Sequence, residues 1–217
     1  MARACSAAGR DAADVTLVAV SKTQPADALR VLAQAGQVAF GENYLQEALT
    51  KQAALADLPL QWHFIGPIQS NKTRDIAARF DWVHSVERLK IAQRLNDQRP
   101  AEAPPLSVCV QVNVSREASK SGCAPAELAA LAAAIAELPR LRLRGLMAIP
   151  APIAQSADPA QPYRLLREAF EALRALGLPV DTLSMGMSDD FELAITHGAT
   201  HVRVGSALFG PRPSNPL

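Results

Sequence analysis

Short apolar runs alternate along this chain with longer stretches in which apolar residues recur every three or four positions. The first run, Leu17-Val18-Ala19-Val20-Ser21, is apolar or small throughout, the pattern of a strand buried on both faces. Pro25 follows, and its fixed φ suits a first helical turn. The same succession predicts strands at Val15–Ser21, Val38–Gly41, Gln61–Ile65, Trp82–Ser85, Leu106–Val114, Leu141–Met147, Asp181–Ser184 and His201–Val204. Helices are predicted at Pro25–Ala35, Tyr44–Ala56, Lys72–Phe80, Val86–Gln98, Pro125–Glu137, Pro162–Leu176 and Asp189–His197, with a last helical turn between Gly205 and Gly210.

Strands and helices that alternate in this way imply a parallel sheet. Eight units with short connections imply an α/β fold closed into a single (β/α)8 TIM barrel, a fold of roughly 200 to 250 residues. An open doubly wound sheet is the second possibility. It normally carries a glycine-rich turn after its first strand, where this chain has Ser21-Lys22-Thr23-Gln24. No shift in composition marks a second domain, so residues 1–217 read as one barrel domain.

Composition narrows the function classes. A chain of 217 residues with 49% hydrophobic content can bury one sizeable core. A formal net charge of +1 gives no strong field toward nucleic acid or a membrane surface. Met1 to Gly9 holds no long apolar core of a signal peptide, and no apolar run approaches the roughly 20 residues that cross a bilayer. The three cysteines, Cys5, Cys109 and Cys123, form no CxxC pair, which points to a reduced, cytoplasmic protein. The triplets Asn71-Lys72-Thr73 and Asn113-Val114-Ser115 are then chance matches to a glycosylation signal.

In a barrel all strands end at one mouth, and here the ends are polar. They read Lys22; Gly41-Glu42-Asn43; Gly66 with Gln69 to Lys72; His84-Ser85; Asn113-Val114-Ser115; Met147-Ala148; Ser184 to Ser188; and Arg203-Val204-Gly205-Ser206. The last two loops suit an anion. Ser184, Gly186, Gly205 and Ser206 are small, helices follow both loops, and barrels often hold phosphate at this position. A lysine on the first strand and a phosphate cradle on the last two fit a ligand with an aldehyde at one end and a phosphate at the other. Pyridoxal 5′-phosphate (PLP) is such a ligand, and a lysine amine binds its aldehyde as a Schiff base. Arg203 cannot accept a proton from the pyridine nitrogen, so a site that places it there holds the cofactor but delocalises a carbanion poorly. Pairing of Arg203 with a helix acid such as Glu192 would remove that argument.

These segments together resemble a known family, the pyridoxal phosphate homeostasis proteins (YggS/PROSC, the PLP-binding protein family). The resemblance covers nearly the whole chain. It is carried by Leu17 to Thr23, Phe40 to Tyr44, Trp62 to Gly66 with Gln69 to Lys72, His84-Ser85, Val112 to Val114 with Lys120 to Gly122, Arg144 to Met147, Leu183 to Asp190, and Val202 to Ser206 with Phe209-Gly210. It implies a barrel like the alanine racemase N-terminal domain, of fold-type III, with PLP on Lys22. It also implies phosphate contacts from Ser184, Gly205 and Ser206, Arg203 at the pyridine nitrogen, and Asn43 near the ring. The role it implies is intracellular homeostasis of PLP and of amino and keto acids, without robust catalysis. Departures from the family are a first helix shortened to Ala2–Ala8, Pro67 where many members have histidine, and Gln24 where some have a further lysine.

Three functions remain in view. One is a PLP carrier or regulator, a monomer that serves PLP-dependent apo-enzymes. The second is a fold-type III PLP enzyme, an amino-acid racemase or a lyase with His63 or His84 as base; a racemase needs an acid/base group on each face of the substrate carbon. The third is a Schiff-base aldolase acting on another phosphorylated metabolite. Tyr44 and Tyr163 are both predicted on helices. A metal site is not expected, because Gly198 separates His197 from His201. Met185 and Met187 are expected to pack near the bound ring.

Overall fold

The computed structural model describes residues 1–115, 120–155 and 157–210. A short helix α1, Ala2–Ala7, precedes strand β1, Thr16–Val20. The alternation then runs α2 Ala26–Gln34, β2 Ala39–Glu42, α3 Leu45–Ala54, β3 Gln61–Phe64, α4 Thr73–Arg79, β4 Trp82–Val86 and α5 Leu89–Gln98. It continues with β5 Leu106–Gln111, α6 Leu128–Ala136, β6 Leu141–Met147, α7 Gln161–Ala175, β7 Thr182–Ser184, α8 Phe191–Thr196, β8 His201–Val204 and α9 Ser206–Phe209. The eight strands pair in parallel in chain order and β8 returns to β1, so the sheet is a closed barrel rather than an open doubly wound one.

The period of two along each strand sorts its side chains. Phe40, Phe64, Val83, Val108, Val110, Leu146 and Val202 join the large apolar core between strands and helices. The alternate positions face inward. Trp82, Cys109 and Met147 form a separate small cluster, and the Trp82 ring contacts those of His63, His84 and His201. The interior is therefore polar in its middle layer, which a barrel filled by branched aliphatic residues is not.

Two local irregularities shape the sheet. The β5–β6 register shifts between Val108 and Cys109, opposite Gly145. A Cβ there would collide with the Thr182 carbonyl oxygen, and Gly145 has φ +154°. The β4–β5 register also shifts, which brings Val86 opposite Val110 and keeps it in the strand. The helix predicted from Val86 consequently starts only at Leu89.

Candidate functional site

The carboxyl ends of β1 and β8 are neighbours, with Val18 opposite Arg203 and Ala19 opposite Val204. Continued past the strands, this register sets Val20 beside Gly205, where a Cβ would lie 3.2 Å from the Val20 carbonyl oxygen. A cavity of about 350 Å³ opens there, of the size that takes a small ligand. Lys22, Gln24, Asn43, Arg203, Gly205 and Ser206 line it, with Val20, Ile65, Ile149 and Phe209 as its apolar wall. Met187, Ser188 and Asp189, from the loop after β7, and Gly210 complete the lining.

Five of the residues singled out from the sequence thus come together: Lys22, Asn43, Arg203, Gly205 and Ser206. Ser184 does not line the cavity. It is wholly buried beneath it, 2.7 Å from His84 Nδ1, and its Oγ accepts from Arg203 Nη1 at 2.8 Å. The pattern of small residues could not separate Ser184 from Ser188, because both flank the same turn. Ser188 is the serine that reaches the cavity, and its Oγ accepts the N–H groups of Gly205 and Ala207. The helices after these loops, α8 and α9, have six and four residues, so their dipoles contribute less to an anion site than their position suggests. What the loops offer is hydroxyl groups and closely approachable backbone.

Asn43 is set by its neighbours. Gly66 packs directly on its backbone, where any Cβ would overlap the Asn43 carbonyl. The Gly66 carbonyl in turn accepts from Ser85 Oγ at 2.6 Å. Asn43 lines the cavity, and its Oδ1 is buried without a hydrogen-bond partner.

Arg203 is almost fully buried, yet among the described residues it forms no ion pair with a carboxylate, Glu192 included. Its guanidinium donates to Ser184 Oγ and, at 2.9 Å, to the Ala148 carbonyl. Burial lowers its pKa to about 10, which leaves it charged at neutral pH. A guanidinium only donates, so Ser184 accepts from it, and with Gln61 Oε1 accepting at the far end of the chain the Ser184 hydroxyl donates to His84 Nδ1. His84 then carries its proton on Nε2 and donates to His63 Nδ1 at 2.8 Å. His63 Nε2 donates in turn to Gln61 Oε1 at 3.0 Å. One direction satisfies every member of this chain, from the cavity floor toward the far end of the barrel. Desolvation pushes both histidines well below the usual histidine range and keeps them neutral.

This placement changes the expectation for the base. His63 and His84 are structural members of the chain under Arg203, absent from the cavity lining. The alternation Trp62-His63-Phe64 and Val83-His84-Ser85 carries the signal: with Phe64 and Val83 outside, both histidines must point inward. Of the two tyrosines expected on helices, only Tyr163 lies in one. Tyr44 precedes α3 and is exposed, while Tyr163 in α7 is buried and donates to Asp190 Oδ2 at 2.5 Å. Asp190 also accepts from the Met187 amide and so ties down the loop that brings Met187 and Ser188 to the cavity. Met187 lines the cavity; Met185 packs into the apolar core. His197 stacks on Tyr163 outside the barrel, whereas His201 lies inside against Trp82.

Comparison with known proteins agrees with the barrel fold. Residues 3–213 match the family model of the alanine racemase N-terminal domain. A pyridoxal phosphate homeostasis protein of Pseudomonas aeruginosa PAO1 is 68% identical over 209 residues, 96% of this chain and 90% of the relative. Its counterpart in Escherichia coli K12 is 55% identical over 212 residues, 96% of this chain and 91% of the relative. Among solved structures, PipY of Synechococcus elongatus PCC7942 with PLP bound superposes with a TM-score of 0.84 at 40% identity, covering 96% of this chain and 98% of PipY. Alanine racemase of Corynebacterium glutamicum shares the fold, with a TM-score of 0.70 at 21% identity over 99% of this chain and 60% of the racemase. From the closed barrel, the cavity at its β1–β8 seam and these relatives together, the chain belongs to the pyridoxal phosphate homeostasis protein family, within the alanine racemase N-terminal domain family.

Proposed function

We propose that the cavity binds pyridoxal 5′-phosphate and that the protein serves the homeostasis of this cofactor, and through it of amino and keto acids, in the cytoplasm. The observation that carries the proposal is the meeting of Lys22 with Arg203, Gly205 and Ser206 in one cavity of fitting size. The residues present suit the group. Lys22 takes its aldehyde end. Gly205, Ser206 and Ser188 cradle the phosphate with backbone and hydroxyl donors. Arg203 donates to the pyridine nitrogen, Asn43 reaches the ring substituents, and Ile65, Ile149 and Met187 cover the apolar faces. When bound, the group supplies an aldehyde that a neutral lysine amine captures reversibly with loss of water.

The lining favours retention and release over turnover. Its titratable groups, among the described residues, are Lys22, Asp189 and Arg203. Asp189 is exposed at the rim. A guanidinium at the ring nitrogen donates a hydrogen bond there but gives up no proton, which weakens the ring as an electron sink. Both imidazoles that would serve as bases are consumed in the buried chain, and the Tyr163 hydroxyl is consumed by Asp190. The protein then acts as a monomeric store that passes the cofactor to apo-enzymes.

Borohydride reduction of the PLP-loaded protein, followed by peptide mass mapping, tests the covalent link. One pyridoxyl adduct is expected, on the peptide that contains Lys22, and Lys22→Ala abolishes it. An adduct on another lysine refutes the assignment. Incubation with L- and D-amino acids in deuterated water tests the role: rapid exchange at the α-carbon that Lys22→Ala removes would establish a racemase or lyase instead.

A further inference from the structure

We propose that Glu42, Glu47 and Lys51 are positioning residues for Lys22, a clamp that fixes the backbone on both sides of the amine. This inference rests on the assignment of Lys22 as the cofactor-bearing residue. Lys22 lies in the turn between the last residue of β1, Val20, and the first of α2, Ala26, where no regular ladder holds the chain. On its amino side, the Ser21 amide donates to the Gly41 carbonyl at 3.0 Å. The Ser21 hydroxyl donates to Glu42 Oε1 at 2.6 Å, and the Ser21 carbonyl accepts from Lys51 Nζ at 2.6 Å. On its carboxyl side, the Thr23 amide donates to Glu47 Oε1 at 2.5 Å. Lys51 Nζ joins the two halves, donating to Glu42 Oε1 at 2.7 Å and to Glu47 Oε1 at 2.5 Å. All three ammonium protons therefore have an acceptor within the clamp.

The backbone needs this support. Thr23 has φ +67°, the left-handed region that a β-branched residue rarely enters. The bond from its amide to Glu47 holds that strained conformation, which aims the preceding side chain. The charges are costly to place. Glu42 is fully buried, the Lys51 side chain is 5% exposed, and burial raises the Glu42 pKa against the pull of Lys51 and Ser21. Buried ion pairs add little net stability over apolar residues of similar volume. Their effect here is geometric: one helix, α3, and the ends of two strands, β1 and β2, are locked around one residue whose amine must meet an aldehyde at a set place.

The substitutions Glu47→Gln and Glu47→Ala separate the clamp from general stability. The amide oxygen of Gln still accepts from Thr23, whereas Ala removes the acceptor; the Glu47 side chain is 28% exposed, so neither opens the core. In the unliganded protein, hydrogen exchange at the Thr23 amide should be at least tenfold faster in E47A than in wild type, and near wild type in E47Q. With PLP added, capture by Lys22 should slow and release should quicken, each about tenfold, in E47A, with E47Q again near wild type. Lys51→Met should behave as E47A; if it fails to fold, the Glu47 pair decides alone. Unchanged Thr23 exchange in E47A overturns the clamp. Faster exchange with unchanged capture and release overturns its positioning role. An adduct that maps away from Lys22 in wild type refutes the assignment of Lys22 instead, and the exchange data from unliganded protein still report on the clamp.

Discussion

Ser184 shows how one side chain can matter to a site it does not touch. Its hydroxyl accepts from Arg203 and donates to His84, so it holds the guanidinium at the cavity floor. Ser184→Ala leaves a buried donor and a buried acceptor without partners, each costing about 1–3 kcal/mol. The expected result is a drop in urea-unfolding stability of about 2–6 kcal/mol in protein that carries no cofactor. A serine whose task was to bind phosphate would leave that stability unchanged and weaken only PLP affinity. Measuring unfolding with and without PLP separates the two roles.

The helices pack around the barrel through their apolar faces, and one of them is also tied at its carboxyl end. The α8 helix is short, and its terminal carbonyl groups are met by a residue from far along the chain. Arg10 Nη1 donates to the Ile195 carbonyl at 3.2 Å and to the Ala199 carbonyl at 2.5 Å. Arg10→Ala removes both bonds and should cost about 1–2 kcal/mol in urea unfolding, with Lys22 still able to capture PLP. This contact could not be read from the sequence, since nothing local relates Arg10 to residues beyond position 190. The strands could be read, because each apolar run is short, buried on both faces and followed by an amphipathic helix. The strand over Leu141–Met147 and the one over His201–Val204 have the expected limits. The fifth ends at Gln111, not Val114, because Val112 leaves the ladder to bridge Cys123. Lys22, Asn43, Arg203, Gly205 and Ser206 were legible because parallel barrels gather strand ends at one mouth. The placement of Ser184, His63 and His84 beneath the cavity could not be read, because sequence gives the end of a strand but not the depth of a side chain below it.

The barrel as a whole stores neutral histidines in its middle. Burial pushes His63 and His84 well below 6.5 and His201 to about 4. In the unfolded chain each titrates near 6.5, so below that pH the unfolded state binds more protons than the native state and the fold loses stability. Their contribution is complete above pH 6.5 and declines as the pH falls toward 4, by up to about 1.4 kcal/mol per pH unit for each histidine. Urea midpoints measured from pH 7.5 to 4.5 should fall along that course, and His201→Gln should flatten the curve. The β1–β8 seam has one more consequence. Lys22 and Arg203 belong to opposite ends of the polypeptide and share a cavity only once the last strand has zipped onto the first. A chain whose last strand has not yet paired with its first therefore lacks this cavity, and a ligand that bridges Lys22 and Arg203 should bind only after ring closure.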